Sequence, residues 1–131
     1  MSQENVAVVR SGFEAWNAGD IDAVRRVYDA DVIMRYPEGW PEPGPFVGFK
    51  AVMGQWEQNR RAFDANALEP IGDFIDAADR VVVRFIWRGV GRGPDLNMEL
   101  TAVYTVRNGR IIFVELFWDH AEVLEAAGLS E

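Results

Sequence analysis

Two adjacent residues, Asp119 and His120, follow a long apolar segment and could carry acid–base chemistry. A carboxylate at the mouth of a pocket could remove a proton next to a carbonyl group. An imidazole in the first turn of a helix is disfavoured in its charged form by the helix dipole, so it could act as a neutral donor or acceptor. Both residues also have structural explanations. Asp119 followed by Glu122 is the pattern of a helix capping box, and a histidine at a helix start can simply face water.

Two tyrosines, Tyr36 and Tyr104, are the second set of residues that could do chemistry. In an apolar cavity a phenol hydroxyl can polarise or orient an oxygen atom of a ligand. The alternative is that both rings are core residues whose hydroxyls are satisfied by the backbone. The choice depends on whether these side chains point into a cavity.

The element that has to position these residues is the segment 96–119, where Asn108-Gly109 joins two apolar-rich stretches. Asn-Gly between alternating stretches is the strongest short-range signal of a β-hairpin. Even-numbered residues form the apolar face of both stretches, and in the second stretch this face runs from Ile112 to Trp118. We therefore predict that even-numbered side chains point inward and that Glu99 and Glu115 point outward.

A dry cavity walled by aromatic and long apolar side chains is expected beneath this hairpin. Tryptophans converging at the periods of helices and strands indicate a flat, apolar ligand, although aromatic residues at such spacing are usually core. Trp40 lies in the proline-rich loop 37–45 and could close over the pocket. The residues predicted to line the cavity are Trp16, Met34, Met53, Trp56, Phe85, Trp87, Met98, Leu100, Leu116 and Trp118.

The remaining elements follow from periodicity and from cap and turn residues. Helical spacing predicts helices over 3–18 and 49–64, and Asp20 can cap a shorter helix between them. Alternation predicts strands over 32–36 and 81–88, with a weaker strand at 68–75 that suits an edge or a bulge. Strands following strands predict an α+β domain over 1–131. In it a curved antiparallel sheet wraps over three N-terminal helices as a cone-shaped barrel, and a short helix ends the chain.

Composition bounds the function. The 131 residues are 49% hydrophobic and carry a formal net charge of −8. One domain with a real core is expected from this length. The negative charge argues against nucleic acid and against an anionic membrane as partner. The absence of cysteine excludes sulfur metal sites, and with no suitably spaced ligands we expect neither metal nor cofactor. The start of the chain has no signal-peptide pattern, so a cytoplasmic location is expected.

Three stretches carry a resemblance to a known family, namely VVRSGFEAWNAGDIDAVRRVYDADV, FIDAADRVVVRF and RNGRIIFVELFWDHAEVLEAAGLSE. With the spacing between them, the chain resembles the SnoaL-like branch of the nuclear transport factor 2-like superfamily. The resemblance implies a cone-shaped α+β fold, a cavity and a homodimer. It leaves the activity open, because the superfamily includes isomerases, epoxide hydrolases, polyketide cyclases, dehydratases and transport factors.

Two activities of the superfamily lack their machinery in this sequence. Ketosteroid isomerases use a carboxylate base, a tyrosine and a protonated aspartate, and the positions that correspond hold Tyr36, Gly12 and Ala102. The polar positions of limonene epoxide hydrolases correspond to Val83, Phe85 and Leu116. For polyketide cyclase chemistry the nearest candidates are Asp119 and His120.

Two hypotheses remain. The first is a cofactor-independent acid–base enzyme acting on an apolar carbonyl compound, with Asp119 or His120 transferring protons and the tyrosines orienting the substrate. The second is a non-catalytic binding or carrier protein with the same pocket. In either case Arg84, Arg88, Arg107, Glu99 and Glu115 are predicted to form an outward charge ladder. The apolar residues among them, Val103, Phe113 and Phe117, predict burial of this face in a homodimer.

Overall fold

The computed structural model describes residues 2–91 and 93–126. Its helices lie at both ends of the chain and between the first strands, and its long strands follow one another. The elements are α1 Ser2–Ala18, α2 Ile21–Val27, β1 Tyr28–Arg35, β2 Phe46–Val47, α3 Phe49–Arg61, β3 Ala65–Ala77, β4 Arg80–Val90, β5 Leu96–Arg107, β6 Arg110–Phe117 and α4 His120–Ala126.

The described strands form one curved, unclosed sheet in the order β2-β1-β6-β5-β4-β3. The predicted α+β class is confirmed. Neighbouring strands are antiparallel except for β1 and β6, which pair in parallel. A parallel pair needs a long connection, and here α3 and four strands, β2 to β5, lie between the two partners. This pairing places the end of β1, followed by Tyr36, beside the C-terminal end of β6.

Local sequence accounts for the ends and irregularities of several elements. The Asp20 side chain accepts a hydrogen bond from the backbone N–H of Ala23 (3.1 Å), which caps α2. In β3 the register shifts between Ile71 and Ile75, where Gly72 has a positive φ of 74°. This is the bulge that the weak-strand pattern predicted, although β3 is longer than 68–75 because its ends pair with β4.

Alternation of side chains in β5 agrees with the prediction. Leu100, Ala102, Tyr104 and Val106 are buried on the inner face. In β6 the prediction is wrong at one position, because Ile111 is fully buried and Ile112 is only half-buried. A register shift between Thr105 and Val106 places Ile111 opposite Val106. The irregularity moves the inward residue by one position before Val114 and Leu116 resume the predicted pattern.

The helices lie on both sides of this sheet. Phe13 of α1 makes edge-to-face contacts with Phe74, Phe85 and Tyr104, with centroids 5.6–5.8 Å apart. Val123 of α4 is buried, and this helix contacts β5. In the part of the chain that the structure describes, no helix is both long and apolar enough to cross a membrane.

Candidate functional site

An apolar cavity of about 70 Å³ lies between the inner face of the sheet and α1, α2 and α3. One water molecule occupies roughly 10–15 Å³ of such a cavity. The space is therefore large enough for several water molecules and suits a small ring system. No carboxylate, arginine, lysine or histidine stands among the described lining residues. These are Trp16, Val24, Tyr28, Met34, Tyr36, Val52, Met53, Trp56, Asn59, Leu68, Phe85, Trp87, Leu100, Tyr104 and Leu116.

Met98 and Trp118, which were predicted to line the cavity, do not. Met98, two residues from the start of β5, pairs with Trp87 across the sheet and is only partly buried. Trp118 comes after the end of β6, so strand alternation no longer directs its side chain, and it is 48% exposed. The other eight predicted lining residues stand in the wall.

Three tyrosine hydroxyls are the titratable groups of the wall. Burial raises the pKa of Tyr36 to about 12, and an Asn59 hydrogen bond opposes that rise. Burial, reinforced by the neighbouring phenols, also raises the pKa values of Tyr28 and Tyr104 above their usual range. All three groups are therefore protonated, neutral hydrogen-bond donors at neutral pH.

Tyr28 and Asn59 are polar wall residues that were not among the predicted lining residues. Asn59 follows Val52 and Trp56 at spacings of seven and three, so the helical period already placed it on the buried stripe of α3. Because its side chain is polar, Asn59 was not counted among the apolar residues of this stripe. Its Nδ2 donates to the Tyr36 hydroxyl over 3.2 Å. The Tyr28 and Tyr104 hydroxyls have no hydrogen-bond partner among the described residues.

Indole rings form a large part of the wall. Trp16 and Trp56 meet edge to face with centroids 5.5 Å apart. Trp56 and Trp87 are 5% and 7% exposed, and neither indole N–H has an acceptor in the described part of the chain. Because indole is a donor only, these two groups and the Tyr36 hydroxyl make the wall richer in donors than in acceptors.

The proline-rich loop 37–45 covers this site through Trp40. The Trp40 ring stacks between Tyr36 and Trp87, with centroid distances of 4.9 and 5.9 Å. Two side-chain hydrogen bonds tie the loop to the residue after β6 and to α3. The Trp118 indole donates to the Glu38 carbonyl (2.8 Å), and the Gln55 amide donates to the Glu42 carboxylate (3.0 Å). Trp118 therefore acts on the cavity indirectly, by holding its cover.

Asp119 and His120 do not line the cavity. The Asp119 carboxylate accepts from the backbone N–H groups of Ala121 (2.9 Å) and Glu122 (3.4 Å), as a helix N-cap does. His120 Nδ1 lies 3.1 Å from Thr101 Oγ1. Thr101 is an odd-numbered residue of β5, so its side chain lies on the outer face of the sheet, where it is buried. The structure therefore brings Tyr36 and Tyr104 together at the cavity. It leaves Asp119 at the start of α4 and His120 against the outer face of the sheet.

The outer face carries charges in pairs. Arg84 bonds Glu99, Arg88 bonds Glu69 and Asn97, and Glu115 bonds Arg35 at 3.4 Å. Glu99 pairs with Arg84 as a neighbour across the sheet, in agreement with the predicted ladder. Among the described residues no three histidine, aspartate or glutamate side chains converge as a metal site would require.

Comparisons with known proteins agree on one family. The sequence model of the SnoaL-like domain family matches residues 9–114. No curated protein matches the sequence. Among solved structures, Bal32a from a soil-derived mobile gene cassette superposes with a TM-score of 0.81 at 20% identity, covering 88% of each chain.

Two further solved structures have names that bear on ligands. A putative polyketide cyclase from Sinorhizobium meliloti has a TM-score of 0.70 at 25% identity, covering 84% of this chain and 93% of its own. TerC, co-crystallised with polyporic acid, has a TM-score of 0.78 at 21% identity, covering 95% of this chain and 98% of its own. A likeness at about 20% identity shows the fold.

Proposed function

The chain belongs to the SnoaL-like family of the nuclear transport factor 2-like superfamily, and from this premise we propose that it is a single domain whose cavity binds a small, flat, largely apolar molecule bearing an oxygen atom. One observation carries the proposal: the wall is apolar and aromatic, and its polar groups are neutral. A charged ligand would lose its hydration in such a wall without meeting an opposite charge. A planar ring with one oxygen would lose little hydration and would find phenol donors.

Two of the similar structures have names that point to small-molecule ligands. TerC was co-crystallised with polyporic acid, and the Sinorhizobium meliloti protein is named a putative polyketide cyclase. The uncharged ligand class proposed for this chain rests on its own wall.

A binding experiment tests the proposal. We expect isothermal titration calorimetry with 1-tetralone, a bicyclic aromatic ketone, to give a Kd on the order of 0.1–1 mM. This value follows from a binding free energy of roughly 0.4–0.5 kcal/mol per heavy atom of the ligand. Met53→Trp would fill the cavity and should weaken binding at least about tenfold, the loss expected when a ring can no longer be accommodated. Ala51→Trp adds the same side chain on the exposed face of α3 and is the matched control. Equal affinity of the two variants would place the ligand elsewhere.

An acid–base enzyme is the second candidate function. The observation that favours it is the set of protonated phenols in an apolar cavity, because such donors can stabilise negative charge that develops on a carbonyl oxygen. A base is missing from the described wall, since Asp119 caps α4 and His120 lies against the outer face of the sheet. Exchange of the α-hydrogens of 1-tetralone in D₂O, followed by NMR, distinguishes the two functions. Faster exchange with protein, lost in Tyr36→Phe and kept in Asp119→Asn, would establish an enzyme that works in this cavity.

We also propose a homodimer formed through the outer face of the sheet. Val103, Phe113 and Phe117 are half-buried there, beside the paired charges. The short helix α4 packs on the same face through Val123 and leaves these residues partly open. Sedimentation at micromolar concentration should give a dimer, and Phe113→Lys should give a monomer that still binds 1-tetralone.

A further inference from the structure

The hydrogen bond between Asn59 and Tyr36 determines how the wall presents its oxygen. Asn59 Nδ2 donates to the Tyr36 hydroxyl at 3.2 Å, and both residues line the cavity. The Tyr36 ring is only 6% exposed, stacks on Trp40 and meets the edge of Phe46. The hydroxyl is therefore held in position by its ring contacts and by the amide.

A phenol hydroxyl has one hydrogen to donate and an oxygen that accepts. Asn59 occupies the accepting side, so the hydroxyl hydrogen must point in another direction. Among the described residues no acceptor takes this hydrogen. Tyr36 therefore presents a donor to the cavity. Tyr28 and Tyr104 have no such partner, and their hydroxyls are free to rotate and either donate or accept.

We propose that Asn59 is a positioning residue that makes Tyr36 a dedicated donor, so that the cavity selects a ligand with an acceptor oxygen at this wall over the same skeleton with a hydroxyl group. The inference rests on the proposed function, because it concerns how the bound oxygen is recognised. A ketone oxygen accepts from Tyr36 without a hydrogen of its own. An alcohol brings a second hydrogen into a wall that already has more donors than acceptors.

The chemistry of Asn59 allows the preference to be reversed by one substitution. In Asn59→Asp the carboxylate accepts the Tyr36 hydrogen, so the tyrosine would present its lone pairs to the cavity. A ketone would then face an acceptor, and an alcohol would find one for its hydrogen. In Asn59→Leu the tyrosine hydroxyl is free to rotate, so the preference should disappear. A role for Asn59 in folding alone would change both affinities together and leave their ratio unchanged.

The experiment compares the Kd of 1-tetralone with that of each enantiomer of 1-tetralol by calorimetry at pH 8. The wild-type protein should bind the ketone about fivefold more tightly, the factor expected of one net hydrogen bond. Asn59→Asp should reverse the ratio and Asn59→Leu should bring it close to one. Asn97→Asp makes the same change of charge on the outer face, where Asn97 bonds Arg88, and should keep the wild-type ratio.

The outcomes separate this inference from the proposed function. If both compounds bind and Asn59→Asp keeps the wild-type ratio, the cavity binds ligands but Asn59 does not set their orientation, and the inference is overturned. If neither compound binds the wild-type protein, the proposed function fails and this inference fails with it. Should Asn59→Asp not fold, the loss of preference in Asn59→Leu and in Tyr36→Phe decides the matter.

Discussion

The two faces of β4 and β5 differ in chemistry although they are built from alternate residues of the same strands. Inside, Phe85, Leu100 and Tyr104 are buried against helices and bring no charge to the cavity. Outside, Arg84 pairs with Glu99, and both side chains are 45% exposed. Residues two apart in a strand share a face. Once one residue is known to point inward, the face of every other residue in that strand is therefore fixed.

The comparison teaches that residues capable of chemistry are not equally placed for it. Asp119 and His120 have the more reactive side chains, yet their partners are a helix end and an outer-face threonine. Tyr36 and Tyr104 are weaker acids, but they lie in an apolar wall where a hydrogen bond is strengthened by the low local dielectric. Position in the fold, more than side-chain type, marks the inner face as the site.

The largest predicted difference between the faces is in stability. Leu100→Ala should lower the free energy of unfolding by about 2–5 kcal/mol, because it opens a void in a fully buried position. Its neighbour Glu99→Ala should lower it by no more than about 1 kcal/mol, since the ion pair is half-exposed. Urea unfolding of both variants and of the wild type measures these losses in the free energy of unfolding. Equal losses would contradict the assignment of faces.

Alkaline pH should destabilise the protein through the inner face. The Tyr36 pKa of about 12 in the folded state lies above its unfolded value near 10. Stability from this group is therefore fully present below pH 10 and is lost as pH rises through 12, because the unfolded chain releases the proton first. Burial of Tyr28 and Tyr104 acts in the same direction.

The measurement is chemical unfolding at several pH values between 8 and 12, compared with Tyr104→Phe. That variant has one fewer buried phenol and should lose stability less steeply with pH. A fall of the same steepness in both proteins would show that the cavity tyrosines do not carry the effect.

A smaller contrast concerns two buried hydroxyls on opposite faces. Tyr104→Phe should leave stability within about 0.5 kcal/mol of the wild type, since this hydroxyl has no described protein partner, and should weaken 1-tetralone binding about three- to tenfold. Thr101→Val removes the contact to His120, so it should lower stability by about 1 kcal/mol and leave binding unchanged. Calorimetry and urea unfolding of both variants check the pair. Reversed effects would mean that the ligand binds the outer face of the sheet and not the cavity.

The smallest predicted effect is the coupling between Arg84 and Glu99. A double-mutant cycle with alanine at both positions should give a coupling of about 0.2–1 kcal/mol, falling further at high salt because both side chains are half-exposed. A coupling of several kcal/mol that salt leaves unchanged would contradict a half-exposed ion pair and would place Arg84 and Glu99 within the buried part of the proposed dimer interface.

Sequence alone predicts the fold class and much of the wall, because alternation and helical period are local signals. Leu100, Trp56 and Phe85 follow from their spacing. The one-residue change at Ile111 does not, because it depends on how β6 pairs with both β1 and β5. The position of Trp118 likewise depends on where a strand ends.

Polar residues of the site are the hardest to predict. The helical period of α3 places Asn59 on the buried stripe, but only packing of the helices against the sheet makes Asn59 and Tyr28, the first residue of β1, part of the cavity wall. Conversely, Asp119 and His120 have suggestive chemistry at a strand end, and only the course of α4 over the outer face shows which side they occupy.

A crystal structure of the protein with 1-tetralone is the most direct test of the cavity as the binding site. The ketone ring is expected among Trp16, Trp56 and Trp87, with its oxygen within hydrogen-bond distance of the Tyr36 hydroxyl. A ligand seated instead against Asp119 and His120, with the cavity wall untouched, would contradict the account.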